Sequence, residues 1–148
     1  MGSLLGGLIP YEEVFDVIVI VLRFSFRDTT TEAEREEALT AMRRTATVES
    51  TVFGVVGRDI GDPAEGFTHT YSAAVTDFGA LERYTYDPAH LAGDDVILPR
   101  LSRLSAVRFS DDPDPALVER IDELHLGKRA KYPEWDRQLD AIPGTRLG

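Results

Sequence analysis

The chain has 148 residues, enough for one domain with a buried core, and its 43% hydrophobic and 28% charged content is that of a globular protein rather than a disordered one. A formal net charge of −10 argues against nucleic acid or an anionic membrane as partner, since both need clustered Lys and Arg. The absence of cysteine excludes disulfides, thiolate catalysis and zinc–thiolate sites.

Residues 1–13 read as a flexible lead, because Gly2, Gly6, Gly7 and Pro10 disfavour regular structure. The start lacks the basic segment and long apolar core of an export signal. The longest apolar run, residues 17–22, is far shorter than the roughly 20 residues a membrane span needs, so a cytoplasmic protein with no membrane partner is expected.

Residues 14–26 read as the first strand. Both alternating sets are apolar, Val17, Val19 and Val21 on one side and Ile18, Ile20 and Leu22 on the other, so this strand must be covered on both faces. A helix is expected from about Thr31 to Ala46, with Thr31 and Glu34 in a capping box, glutamates in the first turn and Arg43 and Arg44 near the far end. Ala38, Leu39, Met42 and Ala46 form its apolar stripe, and its glutamate run reads as a solvated face. A second strand is expected over residues 48–60, a turn over 61–66, and a third strand over 67–76. Alternation puts Phe67, His69, Tyr71, Ala73 and Val75 on one face of that third strand.

Asp77 is an N-cap for a short helix carrying Phe78, Leu81 and Tyr84 on one face, and Asp87-Pro88 ends it. Residues 89–99 form a polar lip with a further short helical piece, and residues 101–109 a fourth strand. The DDPDP run at 111–115 reads as a linker. A last helix is expected over 116–126, with Leu117, Ile121 and Leu124 as its stripe, Gly127 as its stop and His125 as a charge partner at its C-terminal end. Tyr132, Trp135, Leu139 and Ile142 are too apolar for a free tail, so residues 111–148 are expected to pack on the body or on a partner subunit.

The order strand, helix, strand, strand, helix, strand is an α+β, ferredoxin-like βαββαβ arrangement with a C-terminal helical extension. Its sheet has helices on one face only. The doubly apolar first strand demands a cover for the other face, supplied by a homodimer closing into an α+β barrel; a monomer with its tail over that face is the alternative.

VIVIVLRF in the first strand, GRDI after the second, EGFTH opening the third and YTYDPAH before the lip resemble the stress-responsive dimeric α/β-barrel (Dabb) family. The resemblance covers residues 17–109, and within the family it is to polyketide cyclases of the olivetolic acid cyclase type. These enzymes close a linear polyketide thioester by an intramolecular aldol step without cofactor or metal. The resemblance implies that His90, in the PAH motif, is the catalytic histidine, Tyr84 the catalytic tyrosine, and His69 the histidine of the TH step in the third strand. Ile18 stands where the cyclase has a pocket histidine, the lip GDDVILPRL differs, and the tail after Phe109 has no counterpart.

The chemistry fits those residue types. An aldol step needs a base for a proton alpha to a carbonyl and a donor for the oxygen that becomes negative. A histidine titrates near neutrality and a phenol donates while neutral. His90 is then general base or acid, Tyr84 carbonyl donor and Asp87 a candidate orienter. Ile18, Ile20, Leu22, Leu39, Met42, Tyr71 and Ala73 are the expected walls of an apolar pocket for a polyketide-like or other apolar carbonyl substrate. Blander readings stay open: His69 as a hydrogen-bonded core or interface histidine, His90 as a helix-cap residue, Tyr84 as a core aromatic. His69 and His90, 21 residues apart and without a carboxylate ligand, make a weak metal site. The same resemblance leaves a cofactor-free monooxygenase and a non-catalytic, stress-induced small-molecule binder as alternatives.

Overall fold

A computed structural model of the chain describes residues 16–147. The expected lead at 1–13 and the start of the first strand lie outside those residues. The elements are β1 (Ile18–Phe26), α1 (Glu32–Ala46), β2 (Thr51–Arg58), β3 (His69–Val75), α2 (Phe78–Tyr86), α3 (Pro88–Ile97), β4 (Leu101–Ser110), α4 (Leu117–Lys131), α5 (Pro133–Asp140) and β5 (Gly144–Leu147). The sheet order is β2-β3-β1-β4-β5. The first four strands pair antiparallel, and β5 adds to β4 in parallel. This is the ferredoxin-like α+β fold, with β1 at the centre because it carries apolar residues on both faces.

The capping box forms as expected: Glu34 N–H donates to Thr31 Oγ1 at 3.1 Å, and Thr31 N–H donates to Glu34 Oε1 at 2.9 Å. The stripe Ala38, Leu39, Met42 and Ala46 is buried. α1 approaches α3 closely where small residues meet, since a Cβ at Gly93 would stand 3.1 Å from Thr45 Oγ1. β2 is shorter than expected, because Thr51 turns back to bond the carbonyl of Val48 through both N–H and Oγ1.

The inner face of the sheet holds Ile18, Ile20, Phe24 and Phe26 of β1 against Tyr71, Ala73 and Val75 of β3 and Leu104 of β4. The opposite face stays open. Register puts Val19 and Val21 there beside Ala74 and Ser72, Phe53 and Val55, and Phe109 and Val107. Phe53 and Phe109 are 56% and 58% exposed.

The extension covers the inner side instead, so the alternative of a tail closing the open face does not hold. Leu117, Ile121, Leu124, Leu139 and Ile142 are all buried. The run 111–115 is tied down: Val17 N–H donates to Asp111 Oδ1, and Asp112 and Asp114 accept from backbone N–H groups two residues ahead. The stop expected at Gly127 is overturned. α4 continues to Lys131 and breaks at Tyr132-Pro133, where the residue before proline leaves the helical region. Gly127 sits inside the helix facing the Tyr86 hydroxyl, where a Cβ would make only an ordinary 3.7 Å contact.

Candidate active site

The site is built at the corner between α2 and α3. Asp77 caps α2 by accepting from Ala80 N–H, and the i, i+3 spacing carries Leu81 and Tyr84 into the core. Asp87 ends α2 and also caps α3, accepting from Ala89 N–H at 2.9 Å, with Pro88 as the first helical residue. One turn into α3, the ring of His90 folds back against Tyr84, with ring centroids 4.6 Å apart.

Nδ1 of His90 lies 2.8 Å from the backbone carbonyl oxygen of Tyr84. A carbonyl only accepts, so Nδ1 carries the proton, and in the neutral ring Nε2 is the bare nitrogen. Burial pushes the His90 imidazole below its ordinary value of 6.5; Asp94 opposes this and Lys128 adds to it. The ring is therefore a neutral base at neutral pH.

The Tyr84 hydroxyl is hydrogen-bonded to the Tyr71 hydroxyl in the interior. Burial raises both phenols well above their usual value, so each stays a protonated donor. On the far side of His90, Nε2 is 3.7 Å from Asp94 Oδ2, and Lys128 Nζ donates to that same oxygen at 3.1 Å. Lys128 is only 1% exposed, and its ammonium lies 4.1 Å from the ring centroid of Trp135.

Tyr84, His90, Asp94 and Lys128 line a cavity of about 500 Å³. Its floor is Ile20 and Leu22 of β1 with Leu104 and Ala106 of β4; its roof is His125, Lys128, Trp135 and Leu139 of the extension. A smaller hollow of about 50 Å³, lined by Met42 and Tyr71 among others, meets it at Tyr84 and His90. The apolar walls suit an apolar ligand, and the few polar groups converge on one corner.

Of the residues singled out in the sequence, Tyr84, His90, Ile20 and Leu22 line the main cavity, and Met42 and Tyr71 the smaller one. Ile18, Leu39 and Ala73 line neither; they are packed in the core. Asp87 lines neither, because its carboxylate is used as a helix cap. His69 is not brought to the cavities. Its ring stacks on Phe24 at 5.5 Å, meets Phe26 edge-on at 5.5 Å, and bonds the Thr68 hydroxyl through Nδ1 at 2.8 Å.

Asp94, Lys128, His125 and Trp135 were not anticipated in this wall. Asp94 was signalled only by its place four residues after His90 on one helix face. His125 was expected as a charge at a helix end; it lies within α4, and burial, then Arg108 and Lys128, push it down to about 4. Among the described residues no group of three or more His, Asp or Glu side chains is placed to hold a metal ion, and no helix is long and apolar enough to cross a membrane.

Residues 18–111 match the profile of the stress responsive A/B barrel domain. No curated protein matches the chain in sequence. Among solved structures, a dimeric ferredoxin-like protein of unknown function from Thermobifida fusca is 25% identical, with a TM-score of 0.58 over 65% of this chain and 92% of that one. The hydroxynitrile lyase of Passiflora edulis is 14% identical, with a TM-score of 0.56 over 66% of this chain and 94% of its own. SnoaB, a cofactor-independent oxygenase from Streptomyces nogalater, is also 14% identical, with a TM-score of 0.50 over 67% of this chain and 96% of its own. At those identities the last two share the fold, and α4, α5 and β5 lie beyond the matched residues.

Proposed function

The chain belongs to the stress responsive A/B barrel domain family, and from that premise we propose that it is a cofactor-independent, polyketide cyclase-like enzyme of natural-product biosynthesis. It performs acid/base cyclisation of aldol type, or a related dehydration or isomerisation, on an apolar carbonyl substrate. The observation that carries this reading is the tautomer of His90: Nδ1–H is committed to the Tyr84 carbonyl, so a neutral Nε2 serves as base in the wall of an apolar cavity.

Nε2 takes the proton alpha to a carbonyl of the bound substrate. The Tyr84 hydroxyl, accepting from Tyr71, donates to the carbonyl oxygen that becomes negative. The carbanion attacks a second carbonyl of the same chain, and His90 returns its proton to the new alkoxide. The cavity of about 500 Å³ holds a folded chain with its reacting carbons close, which removes the entropy cost of bringing them together. His69 has no part in these steps, since it lines neither cavity.

A second copy of the chain covers the open face of the sheet, where Phe53, Val55, Val107 and Phe109 are each more than half exposed. The 25%-identical relative from Thermobifida fusca is described as dimeric, which supports this arrangement.

The test is a poly-β-keto thioester mixed with the purified protein, with product mass and oxygen uptake followed together. A cyclised product without oxygen uptake is expected, with a loss of at least about a hundredfold in His90→Ala and a clear loss in Tyr84→Phe. Variants as fast as the parent overturn the assignment. Oxygen uptake moves it to an oxygenase, and tight binding without turnover to a carrier.

A further inference from the structure

His90 and Asp94 stand one turn apart on α3, the spacing at which an imidazolium and a carboxylate pair along a helix. By themselves they would form that pair, and a carboxylate beside Nε2 would draw a proton onto it. The fold prevents this. Nε2 is held 3.7 Å from Asp94 Oδ2, beyond hydrogen-bond length, while that oxygen accepts from Lys128 Nζ at 3.1 Å. Lys128 belongs to α4, outside the residues that match the family, and its ammonium is held over Trp135.

We propose that Lys128 is a positioning residue for His90: by occupying Asp94 Oδ2 it keeps that carboxylate from pairing with the imidazole and leaves Nε2 a bare base toward the cavity. The inference rests on the reading of His90 as the base, and assigns to the extension the task of keeping it one.

The other groups around the ring do not take this part. Asp87 is bonded to the Ala89 N–H at the start of α3. Tyr84 of α2 meets the ring through its carbonyl and its neutral phenol, and Tyr71 of β3 bonds the Tyr84 hydroxyl. His125 of α4, pushed down to about 4, is uncharged near neutrality. Arg108 of β4 and Asp122 of α4 share the cavity wall, but the charges that act most on His90 are Asp94, Lys128 and Asp87. Lys128 pushes the imidazole down and Asp94 pushes it up, as the geometry requires.

The experiment follows the His90 imidazole by NMR through a pH titration of the full chain, its signal assigned by its loss in His90→Gln. The parent is compared with Lys128→Met, Asp94→Asn and the double variant. In Lys128→Met the midpoint rises by about one pH unit, as expected when the carboxylate pairs with the ring. In Asp94→Asn it falls below the parent's. In the double variant it returns to within about half a unit of the parent's, because the carboxylate that Lys128 restrains is gone. An unmoved midpoint in Lys128→Met, or a double variant that titrates like Lys128→Met, overturns the proposal.

If Lys128→Met does not fold, Asp94→Asn decides alone, and a midpoint at or above the parent's overturns it. Because titration needs no substrate, the two readings fail separately. Unmoved midpoints with an inactive His90→Ala overturn only the part given to Lys128. Shifted midpoints with a fully active His90→Ala uphold the restraint by Lys128 and overturn His90 as base.

Discussion

Across the corner between α2 and α3, Nδ1 of His90 donates to the main-chain oxygen of Tyr84 at 2.8 Å. The same carbonyl also takes the longer, 3.4 Å bond from the Asp87 N–H that closes α2, so the corner that ends one helix also fixes the tautomer of His90 on the next.

The pH dependence of turnover follows. A base must be unprotonated, and the His90 imidazole sits below its ordinary 6.5 because it is buried. The rate is therefore flat through neutrality and falls on acidification, with its acidic limb below 6.5. A kcat profile on a poly-β-keto thioester measures this, and a limb above 6.5 contradicts it.

Removing one of the paired phenols strands the other. In Tyr84→Phe the Tyr71 hydroxyl, in a residue only 2% exposed, loses the bond it makes to Tyr84. The expected cost is about 1–3 kcal/mol in urea unfolding. Tyr71→Phe combined with Tyr84→Phe should cost less than the sum of the two single changes, since the double variant leaves no stranded hydroxyl.

Acid weakens the fold before the carboxylates titrate. His90 and His125 are held below 6.5 in the folded chain, His125 at about 4. The unfolded chain binds more protons below 6.5, so stability rises with pH through that window and is lost on going from pH 7 to pH 5. Urea midpoints at pH 7, 6 and 5 should decline, and His125→Gln should make the decline shallower.

The open sheet face is the interface of the proposed dimer. Phe109→Glu puts a charge among Val19, Val107 and Phe53 on that face and should turn a sedimenting dimer into a monomer with unchanged far-ultraviolet circular dichroism. A variant that sediments like the parent argues against the face-to-face arrangement.

Gly54 is fixed by space alone. Its backbone is ordinary, but a Cβ there would run into the backbone carbonyl of Ala46 at the end of α1. Gly54→Ala should cost about 1–3 kcal/mol in the same unfolding measurement, while Gly57→Ala, which meets nothing within 4 Å, should cost less.

The framework was legible where local chemistry decides it. The capping box at Thr31 and Glu34, the cap at Asp77 and the break at Asp87-Pro88 are local signals, and each forms. The doubly apolar β1 pointed to a strand that needs cover on both faces, and it lies at the centre of the sheet with its inner side buried. Alternation gave the inner face of β1 and β3, but it does not say which residues of a face meet a helix and which meet a hollow. Ile18 and Ala73 therefore read as walls and turned out to be core. The roof was not legible. Gly127 reads as a stop, though the helix runs on through it to Lys131, and with α4 cut short, Lys128 falls outside any helix and far from Asp94. The fifth strand of the sheet, β5, is four residues of GTRL with no apolar pattern to announce it.

That short strand limits how copies of the chain can meet. Lying parallel along β4, β5 occupies the backbone groups through which β4 would otherwise recruit a foreign strand. What β5 offers in its place is an edge only four residues long, a poor template for another strand, so the proposed self-association falls to the flat outer surface. In the proposed dimer each cavity would sit behind its own sheet, with two sheets between it and its twin, and the two cavities would fill independently, without cooperativity.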